Sequence, residues 1–307
     1  MSRLRRILRV LSLLLLAAIL LVAAAAGTGW WYFHPELSVT RGVVYTQRDG
    51  REVTLDVYRP AKANGIGVIL MVSGGWQSHP EGMNPWFLTP ILRSGQTIFA
   101  VSHVSQPEGS VMEAVEDVTR AVRFIRHHAK KYGVDPGKLG VMGVSSGGHL
   151  SLMLATGGKP GDTGATDPVN RESSAVQAAA VFCPVTDLIN LGSSTENAGD
   201  NGPPKSFRKA FGPDAMNPDV WQTRGRELSP IYRVSPALPP VLIIHGDADT
   251  LVPLDQSTRF QQKAAELGHN VRVVVKPGKP HSWLGMLWDL RTMADFFDTV
   301  LGHSRAE

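Results

Sequence analysis

The sequence predicts an α/β fold: a mostly parallel sheet with helices on both faces, preceded by one N-terminal apolar helix. Three observations carry this. Short runs rich in Val, Ile and Leu, bounded by Gly, Pro or Asn, recur along the chain; segments with helical periodicity separate them; and an uncharged stretch opens the sequence. Near-continuous apolar strands alternating with helices are the mark of a sheet buried on both sides.

The opening stretch comes first in chain order. Val10 to Gly29 is twenty residues without a charge, mostly Leu and Ala, which as a helix is roughly 30 Å long, the thickness of a bilayer's hydrocarbon core. Arg3, Arg5, Arg6 and Arg9 precede it and Trp30-Trp31-Tyr32-Phe33 follows, matching a positive-inside flank and an aromatic belt. Residues 1–33 are therefore expected to be a membrane anchor, with residues 34–307 outside the cytoplasm. The small residues Ala23 to Ala26 support a second reading, a cleaved signal peptide, which also exports the domain.

Beyond a linker at His34 to Leu37, strands are predicted at Thr54–Tyr58, Gly67–Val72, Thr97–Val101, Leu139–Met142, Ala178–Phe182, Val241–His245 and Val271–Val275. Helices are predicted over Ser110–Tyr132, where Val111, Ala114, Val115, Val118, Val122 and Ile125 keep helical spacing, and over Gly147–Thr156, Leu254–Leu267 and Gly285–Leu301. Two stretches rich in turn-forming residues break the rhythm, Gly157–Ser174 and Asn190–Pro240. The second, residues 190–240, is a candidate lid over a binding site.

Charge narrows the partners. The 31 basic residues less the four leader arginines match the 27 acidic residues, so the body is neutral and offers no basic groove for nucleic acid. The single cysteine, Cys183, excludes an intrachain disulfide and a cysteine-based metal cluster, and its apolar run Ala178 to Phe182 predicts a buried structural thiol. Neither H-x-x-x-H nor H-E-x-x-H occurs, so a zinc hydrolase is disfavoured. His79, His103, His127, His128 and His269 read as surface or capping residues, and His149 as a packing or hydrogen-bonding one.

Gly143-Val144-Ser145-Ser146-Gly147 is G-x-S-x-G between a predicted strand and a predicted helix. A serine on so sharp a turn is held above the sheet, with the helix N-terminus aimed at any oxyanion that forms beside it. A hydroxyl is a weak nucleophile and needs a base, itself oriented by an acid. Strand Val241–His245 runs into Gly-Asp247-Ala-Asp249, and His281 follows the strand Val271–Val275. The order Ser145, Asp249, His281 is that of α/β-hydrolases. Of the two acids, Asp249 is expected to meet the imidazole and Asp247 to cap a turn. For the oxyanion, Ser146 supplies one N–H, and the small-residue loop Ser73-Gly74-Gly75-Trp76 makes Gly75 and Trp76 the candidates for a second.

Gly143-Val-Ser-Ser-Gly-Gly-His-Leu150, Phe182-Cys-Pro-Val-Thr-Asp187-Leu, Ser235-Pro236, Leu238-Pro-Pro-Val-Leu-Ile-Ile-His-Gly-Asp-Ala-Asp249 and the late His281 resemble bacterial esterases of the acetylxylan/feruloyl-esterase-like branch of the α/β-hydrolases, and more distantly the prolyl oligopeptidase catalytic domain. The resemblance covers roughly Val53 to Leu301. It implies Ser145 as nucleophile, Asp249 as acid, His281 as base, an ester or glycan-linked ester as substrate, and no metal or organic cofactor. Many relatives carry His-Gly-Gly-Gly-Trp where this chain has Val72-Ser73-Gly74-Gly75-Trp76. Two rival readings share the fold. Prolyl oligopeptidase-like peptidases usually carry a large N-terminal propeller, whereas only about fifty residues precede the first predicted strand here. A non-catalytic binding protein would not need the Ser, Asp and His.

Overall fold

A computed structural model describes residues 3–79, 84–106 and 108–302. The chain opens with α1 (Arg3–Phe33), none of whose residues is buried. By length and composition it can cross a membrane, and its exposure excludes a core helix.

The remainder builds one eight-stranded sheet from β1 (Leu37–Arg48), β2 (Arg51–Pro60), β3 (Gly67–Met71), β4 (Thr97–Val101), β5 (Leu139–Val144), β6 (Ala178–Phe182), β7 (Val241–Gly246) and β8 (Arg272–Lys276). The order is β1-β2-β4-β3-β5-β6-β7-β8. β1 and β2 pair antiparallel, as do β2 and β4; every later pair is parallel. The mostly parallel sheet is as expected. β1 is an addition to it: its sequence lacks a clean two-residue alternation because register shifts interrupt it after Thr40 and Val44, beside Gly42 at φ 63°, and half of its residues are exposed.

The central strands β3 to β7 are buried throughout apart from Val144, and their side chains divide between two apolar cores. Ile69, Met71, Val141, Val181 and Ile243 join one core with α3 (Val111–His127), α5 (Ser146–Gly157) and α7 (Asp255–Ala265). Val68, Leu70, Met142, Phe182 and Ile244 join the other with α2 (Thr89–Arg93) and α8 (Met286–Gly302).

The predicted helix Ser110–Tyr132 is two. Ser110 and Glu113 form a reciprocal capping box that starts α3, and His128 (φ −100°, ψ 12°) separates it from the short α4 (Ala129–Tyr132), which Gly133 ends at φ 65°. Within residues 190–240 lies α6 (Pro218–Glu227), capped by Asn217 and started by Pro218, among short 3₁₀ turns. The turn residues conceal the 3₁₀ turns because none of these is long enough to print a helical period.

Candidate active site

Ser145 stands where β5 turns into α5, with φ 56° and ψ −117°, a conformation a side chain normally avoids and that costs about 1–3 kcal/mol. The turn is enforced by backbone contacts. A Cβ on Gly143 would lie 2.3 Å from the carbonyl carbon and oxygen of Gly147, and one on Gly147 would lie 2.9 Å from the Met71 oxygen. Only glycine fits at either place. The Ser145 N–H donates to Phe182 O at 2.9 Å, and the His149 N–H to Ser145 O at 2.9 Å, so the strained residue is tied to the sheet and to its own helix.

Asp249 and His281 meet across two loops. Oδ2 of Asp249 is 2.7 Å from His281 Nδ1, while Oδ1 accepts the N–H groups of Leu251 (3.0 Å) and Val252 (2.9 Å). Burial works against the charge on this carboxylate, but hydrogen bonds from His245, His281 and the Val252 amide outweigh it and hold the group well below the usual carboxylate range. It stays ionised, so it accepts from the imidazole and leaves Nε2 as the proton acceptor.

Asp247 does something other than capping its own turn. Its Oδ1 accepts the Gly278 N–H at 2.6 Å, while the N–H groups of Asp247 and Ala248 donate to Lys276 O and Lys279 O. A Cβ on Gly246 would lie 2.1 Å from Lys279 O. The acid loop and the histidine loop are thus stitched together face to face, which brings residues 32 positions apart into contact.

His245 reads in the sequence only as a strand end, yet it supports the acid. Fully buried, it lies 2.7 Å from Ser257 Oγ through Nδ1 and 2.8 Å from Val252 O through Nε2, and Nε2 is also 3.3 Å from Asp249 Oδ2. Because a carbonyl only accepts, the ring's proton is on Nε2. The signal is its fixed place four residues before Asp249. Cys183, His245 and Asp249 offer donor atoms within 4.8 Å of one another, but these donors do not suit a metal ion. Both ring nitrogens and both carboxylate oxygens are engaged, and burial pushes the thiol up to about 12, so it stays protonated. Cys183 is the buried thiol expected.

The loop Val72 to Gln77 is a tight turn: the Gly74 and Gln77 amides bond each other's carbonyls at 2.9 and 3.0 Å, and the two central residues, Gly75 (φ 56°) and Trp76 (φ 59°), both lie in the left-handed region as type I′ turns require. Without the histidine of many relatives, other groups hold it. Ser73 Oγ is 3.1 Å from Ser146 Oγ, Ser78 Oγ donates to Val72 O at 2.7 Å, and Trp76 Nε1 donates to His149 Nδ1 at 3.0 Å. His149 Nε2 in turn lies 2.7 Å from Leu228 O. Burial lowers this ring to about 4, so it is the neutral bridge between the turn and residue 228. Among the described residues no protein acceptor engages the N–H groups of Gly75, Trp76 or Ser146.

Gly75, Trp76, Ser145, Ser146 and His281 all line one cavity of about 280 Å³, whose other walls are mostly apolar and include Leu191, Pro204 and Phe207. Asp249 sits behind His281. The segment 190–240 thus supplies one wall, and Phe207 lies against the Gly75-Trp76 turn, 5.6 Å from the Trp76 ring. His103 departs from expectation: it is buried, with Nδ1 2.7 Å from Val104 O, and is neither a surface nor a capping residue. Its position just past a buried strand is the signal.

The sequence matches the BD-FAE family over residues 55–264. Among curated proteins it is similar to a probable isoprenylcysteine alpha-carbonyl methylesterase of Arabidopsis thaliana, 26% identical over 82% of this chain and 52% of the plant protein. Esterase LipQ of Mycobacterium tuberculosis is 28% identical over 71% of this chain and 51% of its own length. The chain therefore spans about half the length of these relatives. Among solved structures it resembles a truncated carbohydrate esterase from gut microbiota (TM-score 0.73, 25% identity, covering 86% of this chain and 96% of that one). It also resembles a thermophilic esterase of Thermogutta terrifontis (TM-score 0.65, 25% identity, 89% and 95%). With the family match extending over more than half of its length, the chain belongs to the BD-FAE family, within an esterase branch of the α/β-hydrolases.

Proposed function

We propose that this chain hydrolyses carboxylic esters through an acyl-enzyme, with Ser145 as nucleophile, His281 as base and Asp249 as the acid that orients it. One observation carries the reading: a strained serine on an elbow turn shares a cavity with a histidine whose other nitrogen is 2.7 Å from a buried carboxylate. His281 Nε2 takes the Ser145 proton as Oγ attacks the ester carbonyl; the same proton passes to the alcohol as it leaves, and water repeats the cycle on the acyl-enzyme. The N–H of Ser146 and that of Gly75 or Trp76 stabilise the oxyanion. The named activities of the family's relatives support ester over peptide as the substrate, and the carbohydrate esterase among the structural neighbours extends the reading to glycan-linked esters. No metal or cofactor enters any step.

Residues 1–33 act on this reading as a membrane anchor, with residues 34–307 as a catalytic domain held outside the cytoplasm, and residues 190–240 act as the lid. Length, flanking arginines and aromatic residues support the anchor; the wall that Leu191, Pro204 and Phe207 give the cavity supports the lid.

The test is covalent labelling with a fluorophosphonate probe beside an ester assay. Ser145→Ala should abolish both while thermal unfolding is unchanged. Asp249→Asn should keep the fold and labelling site but lose kcat by about three to four powers of ten, the size of loss that a wrong imidazole tautomer causes in serine proteases. Labelling that persists in Ser145→Ala and disappears in Ser146→Ala would overturn the assignment.

A further inference from the structure

A second cavity, of about 770 Å³, lies on the α2/α8 face of the sheet, and its walls include Phe87, Val144, Phe182, Trp283, Leu284 and Leu287. Val144 is the residue before Ser145, and Ser282, also in the wall, is the residue after His281. The candidate catalytic pair therefore stands on a ridge between two cavities, the smaller apolar one on the oxyanion side and this larger groove on the other.

The groove's rim is apolar and open. Leu284 is fully exposed, and Phe87, Val144 and the neighbouring Trp288 are exposed as well, a concentration of uncovered large apolar side chains that marks an interaction site. Aromatic rings connect the rim to the N-terminal helix. Phe33 meets Trp86 edge to face at 6.0 Å and Trp86 stacks on Phe87 at 3.7 Å. Arg93 donates to Tyr32 O at 2.9 Å and lies 3.9 Å from the Trp31 ring. With α1 in a bilayer, its aromatic end marks the water–lipid interface, and the groove opens at that level.

We infer that this groove binds the long apolar chain of an ester drawn from the lipid surface and presents its carbonyl to Ser145, an inference that rests on the esterase reading above. The volume falls in the range of ligand sites, and each methylene that leaves water adds about fourfold in affinity. The chain belongs to the acyl or to the alcohol half of the ester; the apolar chemistry is the same, and the assay separates the two sources.

The full-length chain in lipid nanodiscs is assayed with two substrate pairs, p-nitrophenyl laurate beside p-nitrophenyl acetate and dodecyl acetate beside ethyl acetate. In at least one pair the long-chain member should have the larger kcat/KM. The double variant Phe87→Asp, Leu284→Asp should lower that long-to-short ratio at least tenfold; both side chains are exposed, so an unaltered melting temperature is expected. Leu267→Asp, at an exposed apolar residue just past α7, should leave the ratio unchanged. No long-chain preference in either pair, or a ratio untouched by the double variant, overturns the groove while leaving the role of Ser145 standing. Wild-type protein inert toward all four esters defeats the esterase reading instead. Groove occupancy is then decided without turnover, by cross-linking a photoactivatable twelve-carbon fatty acid and mapping the adducts by mass spectrometry. Adducts at Phe87 and across 283–290 support the groove, and adducts confined elsewhere overturn it.

Discussion

Two turns face each other across the candidate active site, and each holds a non-glycine residue at positive φ: Ser145 at 56° in the elbow and Trp76 at 59° in the oxyanion turn. They are enforced in opposite ways. The elbow is fixed by backbone, since a side chain on Gly143 would strike Gly147 four residues on and one on Gly147 would strike the Met71 oxygen of the adjacent strand. The oxyanion turn is fixed by partners far along the chain, with Trp76 bonded to His149, His149 to Leu228, and Phe207 closing over Gly75. A turn of the first kind announces itself as a motif. A turn of the second kind becomes visible only once the chain has folded, and it couples the site to the segment 190–240.

The largest expected effect tests the first half of this contrast. Gly143→Ala places a methyl 2.3 Å from the backbone of Gly147, where nothing can swing aside, and should cost more than about 3 kcal/mol or prevent folding. Gly75→Ala also meets an atom at 2.3 Å, but it is the ring edge of Phe207, a side chain that can move. The left-handed backbone then adds about 1–2 kcal/mol, so the total loss should be smaller. Urea unfolding of both variants ranks them; equal losses would mean that the oxyanion turn is as rigid as the elbow.

Next in size is Trp76→Phe, which keeps the aromatic packing and deletes the bond to His149. A buried acceptor left without its donor costs about 1–3 kcal/mol. If that bond aims the turn's N–H groups, kcat for an ester should fall about tenfold with KM little changed, because oxyanion contacts act in the transition state. A stability loss with kcat intact would separate the turn from the chemistry.

The same contrast explains what can be read from the sequence. The parallel strands β3 to β7, the elbow, and the Asp249 and His281 loops are legible because each is a local pattern: an apolar run followed by turn residues at a strand's carboxyl end. β1 is not, because its register shifts erase the alternation. The joining role of Asp247 is not, because its partner Gly278 lies 31 residues away. His245 and His149 carry little signal for a related reason: their value lies in using both ring nitrogens inside the core, and nothing nearby in sequence supplies the partners. The walls of the two cavities belong to the same class, drawing on α8, the 3₁₀ turn Pro85–Leu88 and the 190–240 segment.

The smallest expected effect is a pH dependence that reports on the oxyanion turn alone. His149 is fully buried between Trp76 Nε1 and Leu228 O, and burial, only partly offset by the bond to that carbonyl, lowers it from the ordinary histidine value of 6.5 to about 4. The unfolded chain therefore binds a proton at this residue at a higher pH than the folded one does. The neutral ring's stabilising share is fully present above pH 6.5, declines as the pH falls toward 4, and changes no further below that. Between pH 7 and 5.5 the decline amounts to about 1 kcal/mol. His149→Gln can still accept from Trp76 and donate to Leu228 but takes up no proton, so it should lose correspondingly less stability over the same interval. The other titratable groups are common to both proteins, and the difference between the two slopes isolates His149. Urea midpoints at pH 7.0, 6.0 and 5.5 measure it. Parallel slopes would mean that His149 titrates like an exposed histidine and that the distant partners do not clamp the turn.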